Sequence, residues 1–411
     1  MSSFSFLHAA DLHLDSPLRG LDPAAPVERI RRATRDALVN MVDFAREQRV
    51  AFVLLAGDLY DGDWKDWHTG QFLVQQLGRL VQDGIEVVAI SGNHDAEQAL
   101  TRKLPIPGLL GASRPSTLRL RTAPVAVHGQ SFDVPKLTRN LVPDYPDPVD
   151  GLFNIGLLHT ACGSSAHENY APCSVDDLVR RGYDYWALGH VHTRAELSRA
   201  PWIVFPGNIQ GRHINETGSR GATLVGVRDG LVGSVEHHAL DVLRWARLEI
   251  DVGGSGGVEA VLDQVRPRLE DAMHGAEGRL LVARVTLSGD CAAHADLAAS
   301  PDGTLQQVRA VAAELAGPEA LWIESVVIDT RPALDLTAMR AQPGAIGALV
   351  QALEHAPGID AGLKAFVDDQ LQRANGALPA GHPALAIAQG RIPEHLVEQA
   401  RALVLAELAR R

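Results

Sequence analysis

Short apolar runs alternate with longer stretches of helical spacing through the first part of the chain. Between residues 26 and 49, apolar residues recur every three or four positions, which predicts an amphipathic helix. A second helix of this kind is predicted over residues 67–83, and an apolar run typical of a buried strand follows each helix. This order of strand, helix, strand, helix and strand predicts a mostly parallel sheet that is covered by helices.

The pattern changes after Pro124, where short strands are separated by turns. One further helix is predicted near residues 174–181. Ser174 is the expected N-cap of that helix, because Asp176 and Asp177 would place two carboxylates in its first turn. From residue 244 onward, strand and helix signals alternate again over about 90 residues, which predicts a small α+β domain.

These patterns divide the chain into three predicted regions: a catalytic domain at 1–240, an α+β capping domain at 241–331 and a helical C-terminal region at 332–411. The last predicted helix, residues 393–411, begins with a proline at a favoured first position and carries one apolar face. That face would either pack against its own domain or dock a partner protein.

Composition narrows the class of protein. The chain has 411 residues, 46% of them hydrophobic, and no apolar run approaches the roughly 20 residues needed to span a bilayer. The N-terminus lacks the features of a signal peptide, and the three cysteines form no CxxC pair, so a reduced cytoplasmic protein without a membrane segment is expected. The net charge of −12 argues weakly against a broad nucleic-acid-coating surface but leaves room for a local basic groove.

Clusters of metal-ligand residues follow five of the apolar runs. Because the strands of one α/β sheet bring their carboxyl ends to one edge, we expect the clusters to converge on one site. Their carboxylates, imidazoles and single carboxamide suit a pair of divalent transition-metal ions. The predicted ligands are Asp11, His13, Asp58, Asn93, His159, His190 and His192.

The chemistry assigns different roles to the residues of these clusters. Asp58 is the predicted bridging ligand, because a carboxylate can bind two cations and a neutral imidazole cannot do so usefully. His94 is predicted to lie beside the substrate phosphate, where it would stabilise the charge of the transition state or protonate the leaving oxygen. Such a histidine needs a carboxylate that holds its orientation, and Asp61 and Asp95 are the two candidates.

Other polar residues carry weaker signals. Arg212 and His213 follow a strand and a glycine-rich turn in the catalytic half, so either substrate binding or a structural role is open to them. His8 lies within the first strand and is expected to be a packed core residue. Cys162 and Cys173 lie on a predicted loop after His159 and need no role in metal binding.

Five motifs resemble those of the calcineurin-like metallophosphoesterase superfamily. They read DLH at 11–13, GDLYD at 57–61, GNHD at 92–95, a lone histidine at 159 and GHVH at 189–192. Flanking sequences such as HAADLHLDSPL at 8–18 and FPGNIQGRHINETGSRG at 205–221 are most similar to the DNA-repair exonuclease branch, namely the SbcD-like nuclease subunits and their YhaO-like bacterial members. The motifs cover about residues 1–220.

This resemblance implies a four-layer α/β sandwich, with mixed sheets flanked by helices, that binds two divalent metal ions, usually Mn2+, and cleaves phosphodiester bonds. His94 would be the transition-state histidine. Many nucleases of the branch have a second histidine where this chain has Asp61, whereas phosphatases of the superfamily often have an aspartate there, paired with the histidine of the GNH motif. The resemblance therefore favours Asp61 as the group that orients His94. One ion would be held by Asp11, His13, Asp58 and His192, and the other by Asp58, Asn93, His159 and His190.

Three functions are compatible with the sequence. The first is a manganese-dependent DNA exonuclease or endonuclease subunit in DNA repair, which works with an SbcC-like coiled-coil ATPase docked on its C-terminal helices; a homodimer is a further candidate assembly. The second is a small-molecule phosphodiesterase or phosphatase. The third is a non-catalytic scaffold that senses DNA ends. An open basic groove beside the metal site would favour a nuclease, and an enclosed pocket would favour a small substrate.

Overall fold

The computed structural model describes residues 3–16, 22–61, 67–96, 105–163 and 170–333. It divides into two compact units. The first comprises Met1–Leu248, Leu269–Arg284 and Ala312–Ser325, and the second comprises Glu249–Arg268, Val285–Val311 and Val326–Arg411. Most of the predicted C-terminal region, including the helix at 393–411, lies outside the described residues. The predicted domain boundaries at 240 and 331 stay predictions.

Strands and helices are numbered here in chain order. The strands are β1 (Ser3–Ala9), β2 (Phe52–Ala56), β3 (Glu86–Ile90), β4 (Ser116–Arg119), β5 (Val125–Gly129), β6 (Phe153–His159), β7 (Tyr185–Gly189), β8 (Ala195–Arg199), β9 (Trp202–Phe205), β10 (Gly221–Arg228), β11 (Leu231–Ala239), β12 (Leu243–Asp251), β13 (Leu280–Cys291) and β14 (Leu321–Pro332). The helices are α1 (Val27–Glu47), α2 (His68–Gln82), α3 (Asn93–Ala96), α4 (Val175–Arg180), α5 (Val258–Gly275), α6 (His294–Ala299) and α7 (Pro301–Leu315).

Two mixed sheets lie within the first unit. One has the strand order β11-β10-β1-β2-β3, in which β1, β2 and β3 run parallel and β10 pairs antiparallel with β1. The other has the order β4-β5-β6-β7-β9-β8, in which the four central strands run parallel. The expectation that one sheet carries all five ligand clusters is therefore wrong, since three clusters follow strands of the first sheet and two follow strands of the second.

Alternating side chains explain why the two sheets stack. Leu7 on β1 belongs to a core formed with α1 and α2, whereas its neighbour Phe6 faces the second sheet and contacts Tyr185 on β7 at 5.2 Å between ring centroids. Both faces of the central strands are thus buried, which is why their sequences are mostly apolar and do not alternate between apolar and polar residues. The layers are helices, sheet, sheet and α4, in agreement with the predicted sandwich.

The amphipathic pattern predicted the helices of this unit well. Helix α4 begins after Ser174, whose hydroxyl accepts the backbone N–H of Asp177 while the Asp177 carboxylate accepts that of Ser174. This reciprocal capping arrangement satisfies two backbone donors that the helix itself leaves unpaired. The predicted N-cap is confirmed. Leu178 on α4 then packs against Trp186 of β7 in the core of the outer layer.

Three strands were not predicted from the apolar pattern, and all three lie at the edge of a sheet: β4, β8 and β11. Their residues are mostly half-buried or exposed. An edge strand with one solvated face needs few apolar residues, so its sequence resembles a polar loop.

A three-stranded sheet of order β12-β13-β14 follows in the chain. Within the second unit, the backbone N–H of Val252 donates to the carbonyl of Ser288 at 2.9 Å, and His294 contacts the hydroxyl of Thr330 at 2.9 Å. Among the described residues, no helix is both long and apolar enough to cross a membrane.

Candidate metal centre

The predicted ligand clusters come together at the carboxyl ends of β1, β2, β3, β6 and β7. Backbone hydrogen bonds hold the clusters to one another: the N–H of Asp11 donates to the carbonyl of Gly57, and the N–H of His13 donates to that of Asp58, both at 3.0 Å. In the second sheet, the N–H of Thr160 donates to Gly189 at 3.0 Å, which brings the end of β6 to the end of β7. The clusters therefore form one site although they belong to two sheets.

The first ligand group consists of Asp11, His13 and His192, whose donor atoms all lie within 4.8 Å of one another. The Nε2 atoms of His13 and His192 are 3.0 Å apart. Burial, followed by the nearby charge of Arg212, holds the pKa of His13 well below its usual range, so its imidazole is neutral, as a metal ligand must be. The donor atoms of these three side chains converge, so they could bind one cation together.

The second ligand group consists of Asp58, His159 and His190, with donor atoms again within 4.8 Å. His159 Nδ1 lies 2.9 Å from the carbonyl oxygen of Ala56, to which it donates, so that Nε2 faces the site. The side-chain oxygen of Asn93 lies 3.0 Å from that Nε2 atom. The predicted carboxamide ligand therefore lies next to this group.

Asp58 lies between the two groups. Its Oδ2 atom is 3.8 Å from His13 Nε2 and 3.4 Å from His159 Nε2. Burial works to raise the pKa of Asp58, but the charge and hydrogen bond of His159 outweigh it and hold that pKa well below its usual range. An ionised, buried carboxylate between two donor groups is where a bridging ligand must lie.

The backbone at the site is strained in a way that aims these side chains. Asp11, His13, Asp58 and His190 all have positive φ angles, of 52°, 44°, 51° and 101°. Each such residue costs on the order of 1–3 kcal/mol, and surrounding structure must compensate for that cost. Here the hydrogen bonds between the clusters and the two buried sheets supply it. Strained residues concentrated at one polar site are typical of a functional centre.

Gly92 shows how closely the backbone packs around Asp58. A Cβ atom at position 92 would lie 2.2 Å from Asp58 Oδ1 and 2.8 Å from Cε1 of His159. Both are ends of proposed ligands that other contacts hold in place, so the clash cannot be relieved without moving a ligand.

We therefore expect Gly92→Ala to lower the free energy of unfolding by about 1–3 kcal/mol and to weaken metal binding. Chemical denaturation and isothermal titration with Mn2+ would measure both. Gly78→Ala on α2 is the matched control, because a Cβ atom there meets nothing within 4 Å and should stabilise the helix by roughly 0.5–1 kcal/mol. Unchanged metal affinity in Gly92→Ala would contradict the expectation.

His94 and Asp61 form the predicted pair. His94 Nδ1 lies 3.3 Å from Asp61 Oδ1, and the hydrogen bond to Asp61 raises the pKa of His94 to about 9. The His94 side chain is 39% exposed, whereas the ligand histidines 13 and 159 are buried. With Nδ1 held by Asp61, Nε2 is the nitrogen that can meet a substrate. His94 also lies within ligand distance of His13 and Asp58.

Asp95, the other candidate support for His94, has a different role. Its carboxylate accepts the backbone N–H groups of Leu59, Tyr60 and Gly92 at 2.9 to 3.1 Å. It therefore binds the loop after β2 to the loop after β3. Of the two candidates, Asp61 is the one that contacts His94.

Arg212 and His213 lie at the same site. Arg212 Nη1 donates to Asp61 Oδ2 at 2.7 Å, and its side chain is 12% exposed. His213 is 52% exposed, with Nε2 3.6 Å from Glu216. Substrate binding by either residue stays a prediction.

Glu216 is a residue of the site that the sequence analysis did not predict. It is 5% exposed and accepts a hydrogen bond from His192 Nδ1 at 2.7 Å. Glu216 could not be predicted from the apolar pattern, because it lies far from the metal-ligand motifs in sequence and approaches them only in the folded chain.

His8 and the two cysteines near His159 lie outside the ligand groups. His8 is fully buried, and its ring contacts the Tyr185 hydroxyl and the Leu188 carbonyl, so it is a packed core residue as expected. Cys162 and Cys173 are free cysteines, and neither belongs to the ligand groups found among the described residues.

Comparison with known proteins identifies the family. The pattern of calcineurin-like phosphoesterases matches residues 4–194, and that of the middle domain of metallophosphoesterase YhaO matches residues 245–331. The metallophosphoesterase YhaO of Bacillus subtilis is 35% identical over 317 residues, which cover 75% of this chain and 76% of that protein. The chain belongs to the calcineurin-like metallophosphoesterase family.

More distant relatives of this metallophosphoesterase carry the name DNA double-strand break repair protein Mre11. The Haloferax volcanii protein is 29% identical over 274 residues, which cover 65% of this chain and 59% of that protein. The Sulfurisphaera tokodaii protein is 25% identical over 244 residues, or 55% of this chain and 60% of that protein. The chain thus matches less than two thirds of the length of these two relatives.

Family and site agree on the class of reaction. The donor sets of both groups are oxygen and imidazole nitrogen, which fit divalent transition-metal ions, and Asp58 lies where it could serve both groups. The metallophosphoesterase is therefore a metal-dependent hydrolase of phosphoesters, and divalent ions are its cofactors.

Proposed function

We propose that this metallophosphoesterase is a manganese-dependent DNA nuclease subunit that acts in DNA repair. The observation that carries the proposal is the pair of ligand groups that share Asp58 beside the exposed, Asp61-held His94. The Mre11 proteins among the relatives support DNA as the substrate. Manganese is proposed because the resemblance to the superfamily implies it, and the carboxylate and carboxamide oxygens of the site are donors that suit Mn2+.

The residues would divide the work of phosphodiester hydrolysis as follows. When bound, two divalent ions would supply positive charge to the phosphoryl oxygens and lower the pKa of a nucleophilic water. Asp58 would be the ligand that the two ion sites share. His94 Nε2 would face the phosphate and either stabilise its developing charge or donate a proton to the leaving oxygen. Asp61 would keep His94 protonated and oriented.

The proposal includes a partner. An SbcC-like coiled-coil ATPase would dock on the C-terminal helices, of which residues 393–411 carry an apolar face in sequence. Copurification of the two proteins with the full chain, but not with a chain ending at residue 392, would support this partner. Equal binding by both chains would place the ATPase elsewhere, and a dimeric mass without the ATPase would favour a homodimer.

A small-molecule phosphodiesterase or phosphatase is the second candidate. It is favoured by Asp61, which replaces the second histidine of many nucleases in the branch, and by the net charge of −12. In addition, the Asp61 carboxylate accepts hydrogen bonds from Ser16 at 2.6 Å and from Arg212 at 2.7 Å, so it is engaged by side chains of the site and is not available to contact DNA. The non-catalytic scaffold has no observation of its own in its favour.

One assay separates these functions. The protein would be incubated with Mn2+ and linear duplex, hairpin or single-stranded DNA, with and without the ATPase, and in parallel with cyclic nucleotides and a chromogenic phosphodiester. Degradation of DNA that is lost in His94→Ala supports the nuclease. If DNA stays intact under all conditions while small diesters are hydrolysed, the nuclease proposal is wrong and the second candidate holds.

A further inference from the structure

A buried ionic network lies behind the metal ligands, on the segment between β9 and β10. Its centre is Glu216, whose side chain is 7% exposed. The carboxylate accepts from His192 Nδ1 at 2.7 Å, from Asn208 Nδ2 at 2.9 Å and from the backbone N–H of Arg212 at 2.8 Å. Each carboxylate oxygen therefore has at least one donor. A charge desolvated to this degree is held by its partners, because a buried carboxylate without them is too costly.

The contact with His192 fixes the state of that imidazole. A carboxylate only accepts hydrogen bonds, so the proton of a neutral His192 must be on Nδ1 and the lone pair on Nε2. Nε2 is the atom that faces His13 at 3.0 Å. Arg212 Nη2 also lies 3.3 Å from Nδ1, but both atoms are donors in this tautomer, so the shorter contact with Glu216 decides the orientation.

The backbone of His192 is held from a second direction. Arg220 is 8% exposed, and its Nη1 donates to the carbonyl oxygen of His192 and to Asn208 Oδ1. Asn208 in turn donates to Glu216. His192 is thus fixed at its main chain by Arg220 and at its ring by Glu216, and Asn208 joins the two supports.

Arg212 connects this network to the other half of the site. Its guanidinium donates to Glu216 Oε1 at 3.1 Å and to Asp61 Oδ2 at 2.7 Å. Asp61 holds His94 through its other oxygen. The chain of contacts therefore runs from His192 through Glu216, Arg212 and Asp61 to His94, and one cation lies between two carboxylates. Both carboxylates have their pKa values held well below the usual range despite burial, Asp61 by His94 and Glu216 by His192.

We propose that Glu216 and Arg212 are positioning residues of the hydrolase: Glu216 aims His192 at its metal ion, and Arg212 fixes Asp61 and thereby His94. The inference rests on the proposed role of His192 as a metal ligand and not on DNA as substrate. Arg212 then acts through its neighbours, since its guanidinium is engaged by carboxylates on both sides. The carboxylate behind a metal-binding histidine sets both its tautomer and its basicity.

Glu216→Gln tests the first half of the proposal. Glutamine keeps the size of the side chain but removes the charge that accepts from His192. We expect affinity for one of two Mn2+ ions to fall about 10–100-fold, measured by isothermal titration on the intact chain, while the other ion binds as before. Hydrolysis of a chromogenic phosphodiester should recover when Mn2+ is raised. Glu196→Gln is the matched control, because Glu196 on β8 is likewise a carboxylate that accepts from arginine side chains, those of Arg194 and Arg199.

A double variant distinguishes positioning from general stability. If Glu216 acts through His192, Glu216→Gln should have no further effect on Mn2+ affinity in a His192→Ala background, because two residues acting on one contact are not additive. Independent, additive losses would overturn the proposal. Should Glu216→Gln fail to fold, Glu216→Asp keeps the charge on a shorter side chain, and unchanged Mn2+ affinity in that variant would likewise overturn it.

Arg212→Lys tests the second half. Lysine keeps the charge but cannot span both carboxylates with a planar fork. We expect kcat for the chromogenic diester to fall roughly tenfold or more through misplacement of His94, with KM and Mn2+ affinity within about twofold of the parent. A rise in KM at constant kcat would instead make Arg212 a substrate-binding residue and overturn its positioning role. If the parent protein binds no Mn2+, it is the proposed ligand set that fails, and this outcome is separate from every variant result.

Discussion

Asp58→Ala should reduce the number of Mn2+ ions bound per chain from two to at most one and should abolish phosphodiester hydrolysis. Oδ2 of Asp58 lies within 3.8 Å of an imidazole nitrogen of both His13 and His159. Without it, two dications would be left with no shared anionic ligand to offset their repulsion. Metal analysis of the dialysed protein and titration calorimetry would count the ions directly.

A second variant at this position separates loss of the ligand from backbone strain. Asp58 has a φ of 51°, a conformation that alanine adopts poorly but asparagine tolerates. Asp58→Asn should therefore fold as well as the parent and still bind fewer ions, because the neutral carboxamide is a weaker bridge. If Asp58→Ala binds two Mn2+ ions per chain, the bridging role is wrong.

His94→Ala should lower kcat by about 10²–10⁴-fold while leaving both Mn2+ ions bound. The reason is that Asp61 lies 3.3 Å from Nδ1 of His94, so Nε2 of this partly exposed ring is left to face the substrate phosphate. Steady-state rates on the chromogenic diester and a parallel calorimetric titration would measure the two quantities. His274→Ala, at an exposed position on α5, is the matched control.

Asp61→Asn extends this experiment. If Asp61 works by holding His94, the variant should lose a large part of kcat, and the loss should shrink in a His94→Ala background. Full activity of His94→Ala would remove the histidine from the chemistry. Loss of one Mn2+ ion in His94→Ala would instead make it a ligand, in keeping with its distance to His13 and Asp58.

Much of the fold could be predicted because its central strands are buried on both faces. Strands such as β2, with all five residues buried, leave uninterrupted apolar runs, and α1 leaves a clear helical stripe. The edge strands β4, β8 and β11 escaped prediction because one solvated face makes them polar. The number of sheets could not be predicted either, because strands of both sheets have the same apolar pattern. Strands that pair across long stretches of the chain also leave no periodic signal in the sequence.

The candidate metal ligands could be predicted from the sequence, but most of the residues that hold them in place could not. Ligand-type residues stand directly after apolar runs, so their convergence follows from chain topology. Spacing alone left both Asp61 and Asp95 open, because each lies in a motif of the site, at 57–61 and 92–95, and only the family resemblance favoured Asp61. The structure separates them by direction: Asp95 accepts three backbone N–H groups, whereas Asp61 reaches His94. Glu216 was out of reach for the same reason, since only folding brings it to His192.

The sequence alone determined the inventory of this site, namely which side chains can bind divalent ions and that they end strands of an α/β fold. Its local order encodes these features, because a strand end and the polar residue after it are neighbours in the chain. Tertiary structure decided how the inventory is used. The stacking of two sheets brings His192 and His13 to 3.0 Å across 179 residues, and folding of the segment after β9 places Glu216 and Arg212 behind them. Such contacts depend on packing between distant segments, which no pattern along the chain records.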